Sequence, residues 1–232
     1  AQANLAAELP GAAVAAGKAP QLDFAAVKTA AQQRWRDLLS RFTVQVDAEL
    51  PSASSDALYL LSTSNAARLT KFYTALYHSH LAPQLFSDVD GRYFAADGSI
   101  RQTAASTPAT TPVISAATGH STQPATRPVT VHPPHYTLYS LWDTFRGLHP
   151  LLTITQPARV DDMMQSMYRF YQANSVLPSW DLMSNETDVM IGYHAVPVLA
   201  DAYFKGLTSL TARQLLDAAL ASARQRRFGI DL

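Results

Sequence analysis

From Thr103 to Pro134 the chain turns to Thr, Pro, Ser and Ala. Pro108, Pro112, Pro124, Pro128, Pro133 and Pro134 deny that stretch a helix and most ladder bonding. The folded core must therefore be built from the residues before and after it. The stretch reads as a flexible surface insertion, not a domain boundary, and the segments on its two sides belong to one architecture.

Those segments carry helical periodicity. Over residues 22–42, Phe24, Val27, Ala31, Trp35, Leu38 and Phe42 recur at three- and four-residue steps, with Lys28, Arg34, Arg36, Asp37 and Arg41 among the intervening positions. Residues 64–81 predict a second helix, with Ala67, Leu69, Phe72, Tyr73, Leu76 and Tyr77 as its apolar stripe and Pro83 ending it. Ser87 to Tyr93 is turn-rich, and Ala96-Asp97-Gly98 signals another turn. Residues 136–149 and 161–173 read as helices, the second lined by Met163, Met167, Phe170 and Tyr171. Asn185 opens a further helix with Asp188 in a capping-box-like place, kinked at Pro197 and closed at Gly206. Thr211 to Arg227 is the last, capped by Thr211 with Gln214 and followed by Gly229. Strand signals are few and no short repeat is visible, so the expected class is all-α.

At 232 residues with 47% hydrophobic content, the chain can bury a substantial core. Lys plus Arg equals Asp plus Glu at 18 each, so no net field favours nucleic acid or an anionic membrane. The chain has no cysteine, which rules out disulfides, thiolate metal sites and a Cys nucleophile while leaving the compartment open. No apolar run approaches a membrane span. Ala1 to Ala19 carry Glu8, Pro10, Gly11 and Gly17 without a basic n-region, so they do not read as a signal peptide. Without an initiating Met, the beginning of the protein is expected upstream.

Two segments crowd aromatic, carboxylate, Arg and His side chains together: Ser140 to Pro150, and Asn185 to His194. A helix of an ordinary core keeps its ionisable groups away from Trp and Phe. A carbohydrate site wants the mixture, because an indole offers a platform to the C–H face of a sugar ring while carboxylates and guanidinium groups bond its hydroxyls. Each motif also has a plain structural reading. Trp142 can fill core space with Asp143 capping or pairing with Arg146 three residues on. Asn185-Glu186-Thr187-Asp188 fits a helix cap, and is also an Asn-x-Thr sequon. His194 lies eight residues after Glu186, slightly over two helical turns, and a lone helical His is commonly structural. His78 and His80, two apart, point to different faces of a helix, and His132 and His135 read as solvated. Asp88-Val89-Asp90-Gly91 lacks the rest of a calcium loop.

Taken in order, Phe72 to His78, Phe86 to Tyr93, Ser140 to Arg146 with His149-Pro150, Leu177-Pro178 with Trp180, Asn185 to His194, and Val198 to Gly206 resemble glycoside hydrolase family 92. These are the calcium-dependent, exo-acting α-mannosidases. The likeness runs from about Ala3 to Leu232, interrupted by the insertion.

The resemblance implies a fold in which an N-terminal β-sandwich is paired with an (α/α)6 toroid. Residues 1–232 would then be a partial toroid, entered through a linker at 1–21 and interrupted at 103–134, with the β-sandwich absent from the chain. It also implies inversion at a terminal α-mannose, with an acid and a base carboxyl roughly 6.5–9.5 Å apart and calcium on the sugar's 2- and 3-hydroxyls. Trp142 and Asp143 match the Leu-Trp-Asp motif that lines the mannose subsite; Arg146, Glu186 and His194 match positions that shape or support it. Phe86 to Tyr93 would form a loop near it. The acid, the base and the calcium ligands are expected in motifs beyond Leu232, so no catalytic residue is assigned here. Ser184 and Val189 depart from the family, which usually has Gly and often Cys there, and Phe94 stands where Arg is frequent.

The sequence is thus expected to supply part of the sugar-binding wall of such an enzyme, to be inactive alone, and to need the rest of the toroid and the β-sandwich as partners. α-Mannoside glycans are the expected ligands, with calcium as the cofactor and a secreted or extracytoplasmic location. The rival expectations are a non-catalytic carbohydrate-binding remnant and a helical scaffold protein.

Overall fold

The computed structural model describes residues 23–45, 65–105 and 132–224. The chain divides into two compact units, Ala1–Leu81 and Ala82–Leu232. The expected linker at 1–21, and residues 106–131 of the expected insertion, lie outside the described residues.

In the first unit, helix α1 (Phe24–Leu39) begins where the Asp23 carboxylate accepts from the amides of Ala25 and Ala26, two of the donors a helix start leaves unpaired. Helix α2 (Asn65–His78) packs on it through the Trp35 and Tyr77 rings, 4.5 Å apart at 58°. The Tyr73 hydroxyl donates to the Phe42 carbonyl, just past α1. Both helices lie inside the predicted spans. Their burial is slight, however: Leu76 alone is buried, and Phe24, expected in the stripe, is 78% exposed.

The second unit departs further from expectation. Strand β1 (Gln84–Leu85) pairs antiparallel with β4 (Tyr136–Thr137), and β2 (Arg92–Phe94) pairs with β3 (Ile100–Gln102). The β2–β3 turn is closed by Asp97, which accepts from the amide and hydroxyl of Ser99 and from Arg101. A third sheet runs in the order β5 (Tyr139–Ser140), β6 (Trp180–Leu182), β7 (Asn185–Glu186). Helices α3 (Leu141–Thr144), α4 (Leu148–Thr155), α5 (Pro157–Asn174), α6 (Ala195–Phe204) and α7 (Ala212–Ala223) complete the unit.

Helix makes up about half of the described residues. The all-α expectation is therefore corrected to a helical architecture carrying three small sheets. The predicted helix at 136–149 is in fact β4, β5, α3 and the start of α4. Tyr136, Thr137 and Tyr139 are β-favouring side chains that face the core, and Leu138 at φ 68° breaks any helix between them. Pro150 does not stop α4, because it sits in the first turn, where no amide bond is lost.

The predicted helix from Asn185 is also corrected. Asn185 and Glu186 form β7, joined to β6 by a two-residue turn in which Met183 and Ser184 have φ of 54° and 61°. That is the primed hairpin turn, whose sequence mark is normally Gly or Asn. Helix α6 starts only at Ala195, and Pro197 lies in its first turn, where it causes no kink. Gly206, at φ 68°, ends it as expected: the Leu207 amide donates back to the Ala202 carbonyl. Helix α7 has the full capping box between Thr211 and Gln214.

The core lies where α4, α5, α6 and α7 pack in succession and meet the third sheet. Leu152, Val160, Met163, Met164, Met167, Val198, Leu199 and Ala202 fill it from the helices. Tyr139 and Leu141, both buried, enter from β5 and α3. Each fully buried Leu, Val or Met contributes about 1.5–3 kcal/mol, so this layer is the rigid base on which α3 stands.

Candidate functional site

Helix α3 is only four residues long and cannot hold itself. Leu141 plugs it into the core, and the Leu141 amide donates to the Ser179 carbonyl at the start of β6. The next residue, Trp142, is carried outward and is 38% exposed. The structure brings two of the sequence-predicted site residues, Arg146 and His194, against this indole. The Arg146 guanidinium carbon stands 4.9 Å from the Trp142 ring centroid and 4.7 Å from that of Phe145. The His194 ring meets Trp142 edge-on at 5.0 Å and tilts against Phe145 at 4.6 Å. Asp143 is exposed beside them, and one of its oxygens accepts from the Ser140 hydroxyl at 2.6 Å. Arg146 does not take Asp143 as its partner; it donates to the Trp142 carbonyl at 3.2 Å.

Glu186 has another occupation. Its carboxylate is half-buried and accepts from the amides of Ser179 at 2.7 Å, Trp180 at 3.0 Å and Asp188 at 3.3 Å. It lies on β7 while His194 precedes α6, so the two do not share a helix face. His194 reaches the indole because the loop from Thr187 to Tyr193 delivers it there. Phe86 to Tyr93 is tied to His135: the amides of Phe86 and Ser87 donate to its carbonyl, and the Ser87 hydroxyl accepts from its amide.

The histidines read as solvated are not. His132 bonds the Thr103 carbonyl at 2.8 Å, and His135 is buried and stacked on Tyr93 at 3.9 Å. Burial, with the Arg169 charge, pulls the His135 pKa down to about 3. His149 is buried beside Tyr139, and burial pulls it down to about 4.

One carboxyl escaped the sequence reading altogether. Asp181, on the central strand β6, is buried; one oxygen accepts from the Thr137 hydroxyl at 3.1 Å and the other has no partner. Burial raises its pKa to about 7, against the opposing bond from Thr137, and nearby Glu186 raises it further. Trp180-Asp181 repeats the Trp142-Asp143 dipeptide, but only the strand alternation places the second carboxyl inside. Ser179 was likewise missed. Its amide, hydroxyl and carbonyl all serve this region.

What the arrangement offers chemically is a half-exposed indole, held by a guanidinium and an imidazole, with an accessible carboxylate alongside. Among the described residues, no group of three or more His, Asp or Glu side chains comes together as a metal would need.

Comparison with known proteins bears on what such a surface is for. No protein of curated function matches the sequence. Among solved structures, the chain is similar to a family GH92 α-mannosidase from Bacteroides thetaiotaomicron, at 27% identity and a TM-score of 0.64. The likeness covers 90% of this chain and 22% of that one, and a structure of the same α-mannosidase in complex with mannoimidazole matches equally. A family GH92 inverting mannosidase from B. thetaiotaomicron VPI-5482 has a TM-score of 0.60 at 22% identity, over 86% of this chain and 21% of that one, and shows the fold alone. This chain thus spans about a fifth of the length of these structures. The sequence model of the glycosyl hydrolase family 92 catalytic domain matches residues 1–230, and on that extent the chain belongs to the family.

Proposed function

We propose that residues 140–146 and the loop ending at His194 form part of the wall around a terminal α-linked mannose, in an enzyme that removes it by inverting hydrolysis. The observation that carries this reading is the Trp142 indole, left half-exposed while its neighbours Arg146, Phe145 and His194 hold it. The indole face takes the C–H face of the sugar ring. The Asp143 oxygen not engaged by Ser140 accepts from sugar hydroxyls. Arg146 and His194 fix the ring's tilt, and Glu186 supports the loop without touching the sugar.

The acid and base of the inverting reaction, and the calcium ligands, are assigned to residues outside this chain. The 22% share of the similar α-mannosidase that the chain spans supports that assignment. The (α/α)6 toroid belongs to the same proposal. Exposed Ile154 on α4, Phe204 on α6, and Leu216 and Leu220 on α7 support packing against further helices. Extracytoplasmic placement also belongs to it, and rests on the family.

Calorimetry with methyl α-mannoside tests the reading. Saturable binding that Trp142→Ala abolishes is expected, without hydrolysis; binding by a folded chain that is indifferent to calcium would favour the non-catalytic carbohydrate-binding remnant. Turnover of an α-mannoside by the chain alone would overturn the assignment of the acid and base elsewhere. A cooperatively melting chain indifferent to mannosides would return the helical scaffold reading.

A further inference from the structure

The loop from Thr187 to Tyr193 has little apolar anchorage of its own. Val189, Ile191 and Tyr193 are 70%, 67% and 51% exposed. Its path is fixed by polar ties instead, and they converge on Ser179. The Ser179 amide donates to Glu186 at 2.7 Å, its hydroxyl donates to the Gly192 carbonyl at 2.9 Å, and its carbonyl accepts from the Leu141 amide at 3.2 Å. One residue thus links the Glu186 carboxylate, the loop two residues before His194, and the helix residue adjoining Trp142. Glu186 closes the arrangement by also accepting from Trp180 and Asp188, so one carboxylate bridges the entry to β6 and the exit from β7. Thr187 adds bonds from its amide and hydroxyl to the Trp180 carbonyl.

Gly192 shows how closely the loop and the imidazole fit. It has φ 82°, and a Cβ placed there would stand 2.3 Å from Cε1 of His194. The His194 ring therefore lies close to the Gly192 backbone as well as to the Trp142 and Phe145 rings. Moving Gly192 moves the imidazole.

We infer that Glu186 and Ser179 are positioning residues: through the Ser179–Gly192 tie they seat His194 against Trp142 and so set the indole for the sugar. The inference rests on the proposed sugar site, and the readouts below separate the two. Ring resonances of His194 and the indole N–H of Trp142 are followed by NMR in the labelled full chain, alongside titration with methyl α-mannoside. In Glu186→Ala the His194 ring signals should lose most of the displacement that the Trp142 and Phe145 ring currents impose. Mannoside affinity should fall by about tenfold, the loss of one charge-assisted bond's worth of order. Glu186→Gln keeps one accepting oxygen for Ser179 but turns its NH2 group toward the Asp188 and Trp180 amides, so the His194 signals and the affinity should fall between those of Glu186→Ala and the original chain.

A folded Glu186→Ala chain with His194 and Trp142 signals unmoved would overturn the inference. If that variant fails to fold, Ser179→Ala decides, since it deletes only the hydroxyl tie to Gly192: His194 should move with it, and an unmoved ring refutes the relay. Movement of His194 in a chain that never binds the mannoside would uphold the positioning while sinking the sugar site.

Discussion

Replacing Asp181 by Asn should stabilise the protein, and only where Asp181 would ionise. In the folded chain the carboxyl is buried, with one oxygen unpartnered, and its pKa stands near 7 against 3.8 in the open chain. The folded state thus holds its proton more tightly than the unfolded one. Below about pH 4 the group costs nothing. As pH rises through the window from about 4 to 7, the unfolded chain ionises first and stability drains away. Three pH units at about 1.4 kcal/mol each give a loss of about 4 kcal/mol at pH 8, an upper figure because the site can relax or admit water. Asn keeps an acceptor for Thr137 and carries no charge. Urea denaturation followed by circular dichroism at pH 4.5, 6 and 8 should therefore show little difference at the acid end. At pH 8 the variant should lead by several kcal/mol, or up to about 10 °C in Tm. An Asp181→Asn chain that gains nothing between pH 4.5 and 8 would refute the reasoning, as would uniform destabilisation.

Two further substitutions probe the frame of the site. Ser184→Gly should stabilise by about 1 kcal/mol in denaturant melts, because Ser184 sits at φ 61° in the β6–β7 turn and its buried hydroxyl has no partner. His135→Phe should flatten the acid limb of the stability profile. With the folded pKa near 3, stability conferred by the neutral ring is complete above pH 6.5 and is lost below it at about 1.4 kcal/mol per pH unit. Urea midpoints at pH 4.5 and 7.5 check this, and parallel shifts in both chains would count against it.

The helices that could be read were those whose stripes and caps are local. Helices α1, α2, α5 and α7 fall at their periodic segments, and the Thr211–Gln214 box and the Gly206 stop were visible as written. The strands could not be read, because the described ones are two or three residues long and too short to show alternation. The β6–β7 hairpin was hidden by its turn, where Met183 and Ser184 hold a backbone that Gly or Asn would have announced. Asn185 and Asp188 then imitated a helix cap at a place where the chain runs from a strand into a left-handed turn. The site divides in the same way. Trp142 and Arg146 are four apart on one short segment, and local spacing brought them together. His194 arrives through a loop whose path is set by Glu186, Ser179 and Gly192, and only the family resemblance connected it to Trp142 beforehand. Asp181 and Ser179 left no mark, since a buried carboxyl and a three-way serine are properties of the fold.

The most direct test follows the Trp142 indole N–H by NMR while methyl α-mannoside is added to the chain. The account predicts a saturable shift at Trp142 that exceeds those at Trp35 and Trp180 and disappears in Asp143→Ala. A Trp142 signal that stays put at saturating sugar, or moves no more than the other two indoles, would contradict it.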